Sequence, residues 1–165
     1  MKSRLRFVSV LVLALLLLVQ TKQRTAHASA HVLLAVVVDR NSPVLRLTLP
    51  ELRRIFTNGG ANDPAGQRFL PFNQSARATD RVGFDQVVLG LSPEDVSQFW
   101  IDRKIRGLSG SPRSVESVAL LLRLVTRLPG AITYARTYQL TKDVRAVPVD
   151  GKLPGEPGYP LAFNE

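Results

Sequence analysis

The sequence predicts a single α/β layered domain, and three observations carry that prediction. A valine-rich run at residues 31–38 reads as a buried strand, strong helix-start signals recur along the chain, and strand-like segments alternate with helical ones. The run HVLLAVVV closes on the polar cluster Asp39-Arg40-Asn41-Ser42-Pro43, as expected for a parallel strand covered on both faces. Next, Thr48-Leu49-Pro50-Glu51 forms a capping box, with Thr48 as cap and Glu51 reaching back to it. Leu49, Leu52, Ile55 and Phe56 then share one helical face, and Asn58-Gly59-Gly60 supplies a left-handed stop.

Residues 58–67 read as loop and residues 69–72 as a short strand. From Thr79 the spacing of Phe84, Val87, Val88 and Leu91 returns to a helix, with Thr79 or Ser75 as cap and Gly90 near its end. Ser92-Pro93-Glu94-Asp95 starts another: a cap, a proline at the first helical position, and acids facing the positive end of the dipole. Val96, Phe99, Trp100 and Ile105 are its expected buried face, Trp100 being read as core. After the polar break GLSGSP, Ser114 is the expected cap of a third long helix carrying Val118, Leu121, Leu122, Val125 and Leu128, which Pro129-Gly130 ends. Residues 131–135 (AITYA) and 144–149 (VRAVPV) read as strands. The Gly- and Pro-rich tail at 151–160 should lie over the surface, pinned by Tyr159.

The N-terminus has the composition of an export signal. Lys2, Arg4 and Arg6 precede an apolar stretch at 7–19 broken only by Ser9, and Ala28-Ser29-Ala30 supplies small residues for cleavage before His31. A permanent membrane span needs roughly 18 to 20 apolar residues, more than this stretch provides. The expected organisation is therefore a signal peptide over 1–30 and a domain over 31–165, periplasmic or secreted, without a stable membrane span after cleavage. An uncleaved, tethered form is the alternative, because the linker at 20–27 is long and carries Lys22 and Arg24.

Five of the basic residues behind the net charge of +9 lie in that leader, which leaves +4 for the rest. No basic run is present, so nucleic acid is not an expected partner. The chain has no cysteine and only two histidines, His27 and His31, one of them lost on cleavage. Disulfides and thiol catalysis are thereby excluded, and a catalytic triad or a transition-metal site lacks its usual donors. No catalytic residue, metal or cofactor is expected, and the chain reads as a non-enzyme. The chemistry that remains is anion binding at a helix start, where free backbone N–H groups and the dipole favour negative charge. The stretch Asn73-Gln74-Ser75-Ala76-Arg77-Ala78-Thr79-Asp80-Arg81 is the most suggestive, with Ser75, Arg77, Thr79 and Arg81 as candidate oxyanion ligands.

The order of these segments resembles phosphate-type periplasmic solute-binding proteins of the type II superfamily. The string VVVDRNSPVLRLTLPELRRIFTNG is similar to that family's valine-rich strand and following "Lt-x-x-eLr-x-IF-x-G" helix. Residues 128–134 (LPGAITY) resemble its "pGAIGY" strand start with Thr133 at the second glycine. Phe99-Trp100 with GLSGSP resembles the segment "W-x-x-x-x-F-x-G-x-G-x-x-P" of short members, and Tyr159-Pro160-Leu161 a C-terminal "YPL". Together these span residues 32–162. The resemblance implies a single domain like one lobe of such a protein, a mixed sheet with flanking helices, and phosphate or a similar oxyanion bound for an ABC transport system.

The family's anion loop, R-x-x-G-S-G-T-R-x-x-F, falls on residues 74–84. Gln74 takes the place of the first arginine, Arg77 and Thr79 of the glycines, and Ala78 and Asp80 of the hydroxyl residues. Side chains at the glycine positions crowd the amides, and an ionised Asp80 repels an anion. The alternative expectation is therefore a non-enzymatic module of the same fold that has lost ligand binding and serves an envelope protein partner.

Overall fold

A computed structural model describes residues 31–58, 61–108 and 110–164. The leader at 1–30, the expected Gly59-Gly60 stop and Ser109 of GLSGSP lie outside the described residues. The nine-residue strand β1 (His31–Asp39) runs through the middle of a six-stranded mixed sheet in the order β3-β2-β4-β1-β5, with β6 also on β1. The other strands are β2 (Leu70–Gln74), β3 (Arg113–Val115), β4 (Ala131–Arg136), β5 (Val144–Val147) and β6 (Ala162–Asn164). Because strand residues alternate between faces, β1 feeds two cores. Val32, Leu34, Val36 and Val38 join one, while Ala35 and Val37 join the other. Coverage on both faces is as expected, but direction is not: β1 is antiparallel to β4, β5 and β6. An unbroken apolar run reports burial on two faces, and a central antiparallel strand satisfies that as well as a parallel one.

Among the described residues, four helices accompany the sheet: α1 (Leu49–Asn58), α2 (Thr79–Val88), α3 (Pro93–Ile105) and α4 (Val118–Arg127). The capping box of α1 forms as expected, since the Thr48 N–H and hydroxyl donate to Glu51 Oε2 at 2.8 and 2.9 Å. Leu52, Ile55 and Phe56 of α1, with Phe84 and Val88 of α2, fill the first core; Leu121, Leu122 and Val125 of α4 fill the second. Ser117, not Ser114, caps α4, and Ser114 lies in β3, a three-residue strand parallel to β2 that is too short to leave a sequence pattern. The helix ends at Arg127, so Leu128 lies just beyond it and is exposed.

The helix α3 departs most from expectation. No residue of it is fully buried: Val96, Phe99 and Trp100 are at most half-buried, and Ile105 is 79% exposed. Its start is as read, with Ser92 accepting from the Asp95 N–H. The C-terminal tail crosses the surface and is pinned by Tyr159, whose hydroxyl donates to Leu34 O at 2.8 Å in the first core. Burial pushes the Tyr159 phenol well above its ordinary range, so it stays a neutral donor.

Candidate anion-binding site

The strands β2, β3 and β4 are mutually parallel, and the chain leaves β2 for β3 on one side and later returns to β4 on the other. In open α/β sheets the crevice beyond the carboxyl ends of strands at such a reversal is where ligands are bound. The stretch singled out in the sequence lies there. β2 takes in Asn73 and Gln74 beyond its expected end at residue 72, and a tight turn follows in which the Ala78 N–H donates to Ser75 O at 3.0 Å.

The first turn of α2 then has no side-chain cap. Ala78 occupies the capping position, and neither Thr79 nor Ser75 fills the role expected of one of them. The Arg81 and Val82 amides both return to Ala78 O, at 2.9 and 3.0 Å. The helix thus begins, at the positive end of its dipole, with no side chain bonded to the amides of its first turn. Ser75 is half-buried, and Arg77 and Thr79 are exposed, so three of the four candidate residues stand at the mouth of this turn.

Arg81 is placed differently. It is only 4% exposed, and its Nε donates to Asp85 Oδ2 at 2.5 Å, one helical turn on. With the Asn73 amide oriented to accept, Arg81 Nη1 and Nη2 meet its oxygen at 2.7 and 3.2 Å. The guanidinium therefore faces inward beneath the turn and clamps the end of β2 to α2. Burial raises the Asp85 carboxyl above its ordinary range, and the neighbouring Arg81 charge opposes that rise. Tyr134 lies below, stacked on Phe84 at 3.8 Å between ring centroids, and burial drives its phenol far above the ordinary value.

Asp80, at the position expected to repel an anion, is nearly buried and accepts from Arg136 Nε at 2.7 Å. Arg136 ends β4, so the parallel pairing of β4 with β2 delivers a compensating positive charge to the helix start. Thr133, at the second glycine of the resembled motif, is fully buried and satisfied, its hydroxyl donating to Phe72 O at 3.0 Å. The (i, i+4) spacing of Arg81 and Asp85 is a sequence signal for a helix-face pair. Arg136 carries no such signal, because its partner lies 56 positions away.

The fold, a mixed sheet with flanking helices, is similar to one lobe of solved phosphate-type periplasmic binding proteins. It superposes on an ABC-type phosphate transport receptor from Vibrio cholerae with a TM-score of 0.66 at 19% identity, covering 81% of this chain and 55% of that one. A protein from Clostridium perfringens, assigned as a phosphate ABC transporter substrate-binding protein and solved with bound phosphate, gives 0.64 at 20% identity over 81% and 54%. PstS from Borrelia burgdorferi gives 0.61 at 11% over 81% and 55%. The chain spans about half the length of these structures. No protein-family model and no curated protein matches the sequence. Among the described residues no helix is long and apolar enough to cross a membrane.

Proposed function

We propose that this chain is an exported, non-enzymatic solute-binding module that receives phosphate or a similar oxyanion at the start of α2, in the service of an ABC transport system. The observation that carries this reading is the uncapped first turn of α2 at the carboxyl end of β2, with Ser75, Arg77 and Thr79 at its mouth. The phosphate bound in the Clostridium perfringens structure supports the ligand class. In this reading the Ser75 and Thr79 hydroxyls and the first amides of α2 bond the anion, and Arg77 supplies the free charge. Arg81 holds the turn from behind rather than reaching the ligand. The Asp80–Arg136 pair offsets the acidic residue that would otherwise repel it. One lobe presents a single wall, so affinity is lower than a closed cleft gives.

Isothermal titration of the purified protein with phosphate and sulfate tests the reading. Saturable heat that Arg77→Gln and Thr79→Val weaken supports it; absence of heat at millimolar ligand removes it. The second reading, an envelope protein-interaction module, is favoured by α3 and the residues after it, where Ile101, Ile105 and Leu108 are 52%, 79% and 49% exposed. A cross-linking pull-down from envelope extract that Ile105→Asp abolishes supports this alternative, and recovery of no specific partner counts against it.

A further inference from the structure

On the opposite face of the sheet, α4 packs over β1 and β4 and leaves a cleft of about 500 Å³ between itself and the segment linking β4 to β5. The cleft is far in sequence from the turn before α2, and none of its lining residues belongs to that turn. Its helix wall is set by periodicity: Ala119, Leu122, Arg123 and Thr126 recur at three- and four-residue spacing along α4 and so share a face. Leu122 is buried and Val118 half-buried, giving an apolar floor. Gln139 stands on the other wall, its Oε1 held by the Arg136 N–H at 3.0 Å, which leaves its amide N–H groups to donate. The Thr126 hydroxyl donates to Arg123 O at 2.9 Å and keeps its lone pairs for an incoming donor.

The unusual feature is the charge arrangement. Arg123 and Asp143 both line the cleft, yet neither makes an ion pair with any described residue. Lys142 beside Asp143, and Arg40 just past the end of β1, do not line it. Arg40 directs its Nη1 to Lys142 O and its backbone N–H to Asp143 O, leaving the Asp143 carboxylate unpaired. Opposite charges on the helix and on the facing segment, unjoined and beside the apolar Val118 and Leu122, match a ligand that carries both complementary charges on one apolar body.

We propose that this cleft is a second binding site, for a small zwitterion bearing a carboxylate and an ammonium group on an aliphatic frame. The Arg123 guanidinium takes the carboxylate, Asp143 takes the ammonium, and the side chain of the ligand lies on Val118 and Leu122. The cleft volume falls within the range typical of small-molecule sites. Nothing in this assignment depends on anion binding at α2, so the two stand or fall separately.

The probe is L-leucine, titrated calorimetrically into the purified protein beside leucinamide, which lacks the carboxylate, and 4-methylpentanoate, which lacks the ammonium. Saturable binding of leucine is expected, with each single-charge analogue weaker by about tenfold or more, the loss of one charge-assisted contact. Arg123→Gln and Asp143→Asn should each weaken leucine by a similar factor, and Arg123→Gln should abolish the preference for leucine over leucinamide. Both side chains are exposed, so folding should be retained, as circular dichroism would verify. Absence of saturable heat with leucine at tens of millimolar overturns the proposal, as does leucine affinity unchanged in both variants. Phosphate titration of the same samples reports the α2 site independently.

Discussion

Replacing Arg81 by methionine should destabilise the protein more than any surface change, and the amount follows from what surrounds it. The side chain is 4% exposed and Asp85 5%, so the substitution leaves a buried carboxylate without its counter-charge. Breaking a buried pair by removing one partner costs about 3–5 kcal/mol, which for a domain of this size is a fall of roughly 10–20 °C in Tm. Replacing both partners, Arg81→Met with Asp85→Leu, should recover the part due to the stranded charge, because two apolar groups need no counter-charge, and leave about 1–3 kcal/mol for the buried Asn73 oxygen that Arg81 no longer serves. The pH dependence has a defined sign. Asp85 already titrates above its ordinary 3.8 through burial, with Arg81 holding it down; without Arg81 it rises further. A carboxyl with a raised folded value gives its full contribution below the unfolded one and loses it as pH climbs through the folded one. The deficit of Arg81→Met should therefore be largest at neutral pH and shrink on acidification. Thermal melts of the wild type, both single variants and the double variant across that range measure all of this. A loss below about 1 kcal/mol, equal at acid and neutral pH, would refute the buried-clamp reasoning. Phosphate titration of the double variant adds a functional arm: affinity kept within about threefold fits an arginine that acts only behind the turn.

Three further outcomes follow from close contacts and caps. Gly83→Ala would drive its new methyl into the Phe163 ring, pushing β6 off α2, at a cost of about 1–3 kcal/mol measurable by denaturant melts. Gly130→Ala should cost at least as much, because φ is +77° there and a Cβ would collide with Arg68 O, a backbone atom that cannot swing aside. Glu51→Gln weakens the cap of α1 by about 0.5–1 kcal/mol at neutral pH. The backbone and side-chain hydrogen bonds from Thr48 hold Glu51 below its ordinary 4.5, so its contribution is present above that value and lost as pH falls through the lowered one. The difference between wild type and Glu51→Gln should thus vanish in acid.

The fold was legible where the signal is local. Ser92-Pro93 and Thr48-x-x-Glu51 start helices because caps act on amides two and three residues away, and β1 announced itself by an apolar run that two cores require. What failed was non-local. Strand direction depends on which neighbours β1 meets, and β4, β5 and β6 come from more than 90 residues later. The buried face expected of α3 failed for a related reason. Val96, Phe99 and Trp100 have the right spacing for a core, but the helix packs mainly along α2, which has too little surface to cover them.

The candidate site divides along the same line, and the division bears on function. Ser75, Arg77 and Thr79 could be read as ligands because hydroxyls and a cation before a helix suffice to suggest it. Arg81 belongs to the same string of residues, yet the fold turns it inward, since an arginine one turn before an aspartate finds a buried partner when Phe84 and Tyr134 close over the helix. Arg136 is its converse: silent in sequence, it arrives at the helix start only because β4 pairs with β2, and there it offsets Asp80. With two acids and two arginines paired, the turn is left, among the described residues, with Arg77 as its uncommitted cation, plus the helix amides. In the proposed reading, anion affinity rests on Arg77 and the dipole together, so Arg77→Glu should not merely weaken phosphate but reverse the field at the turn and eliminate any binding heat.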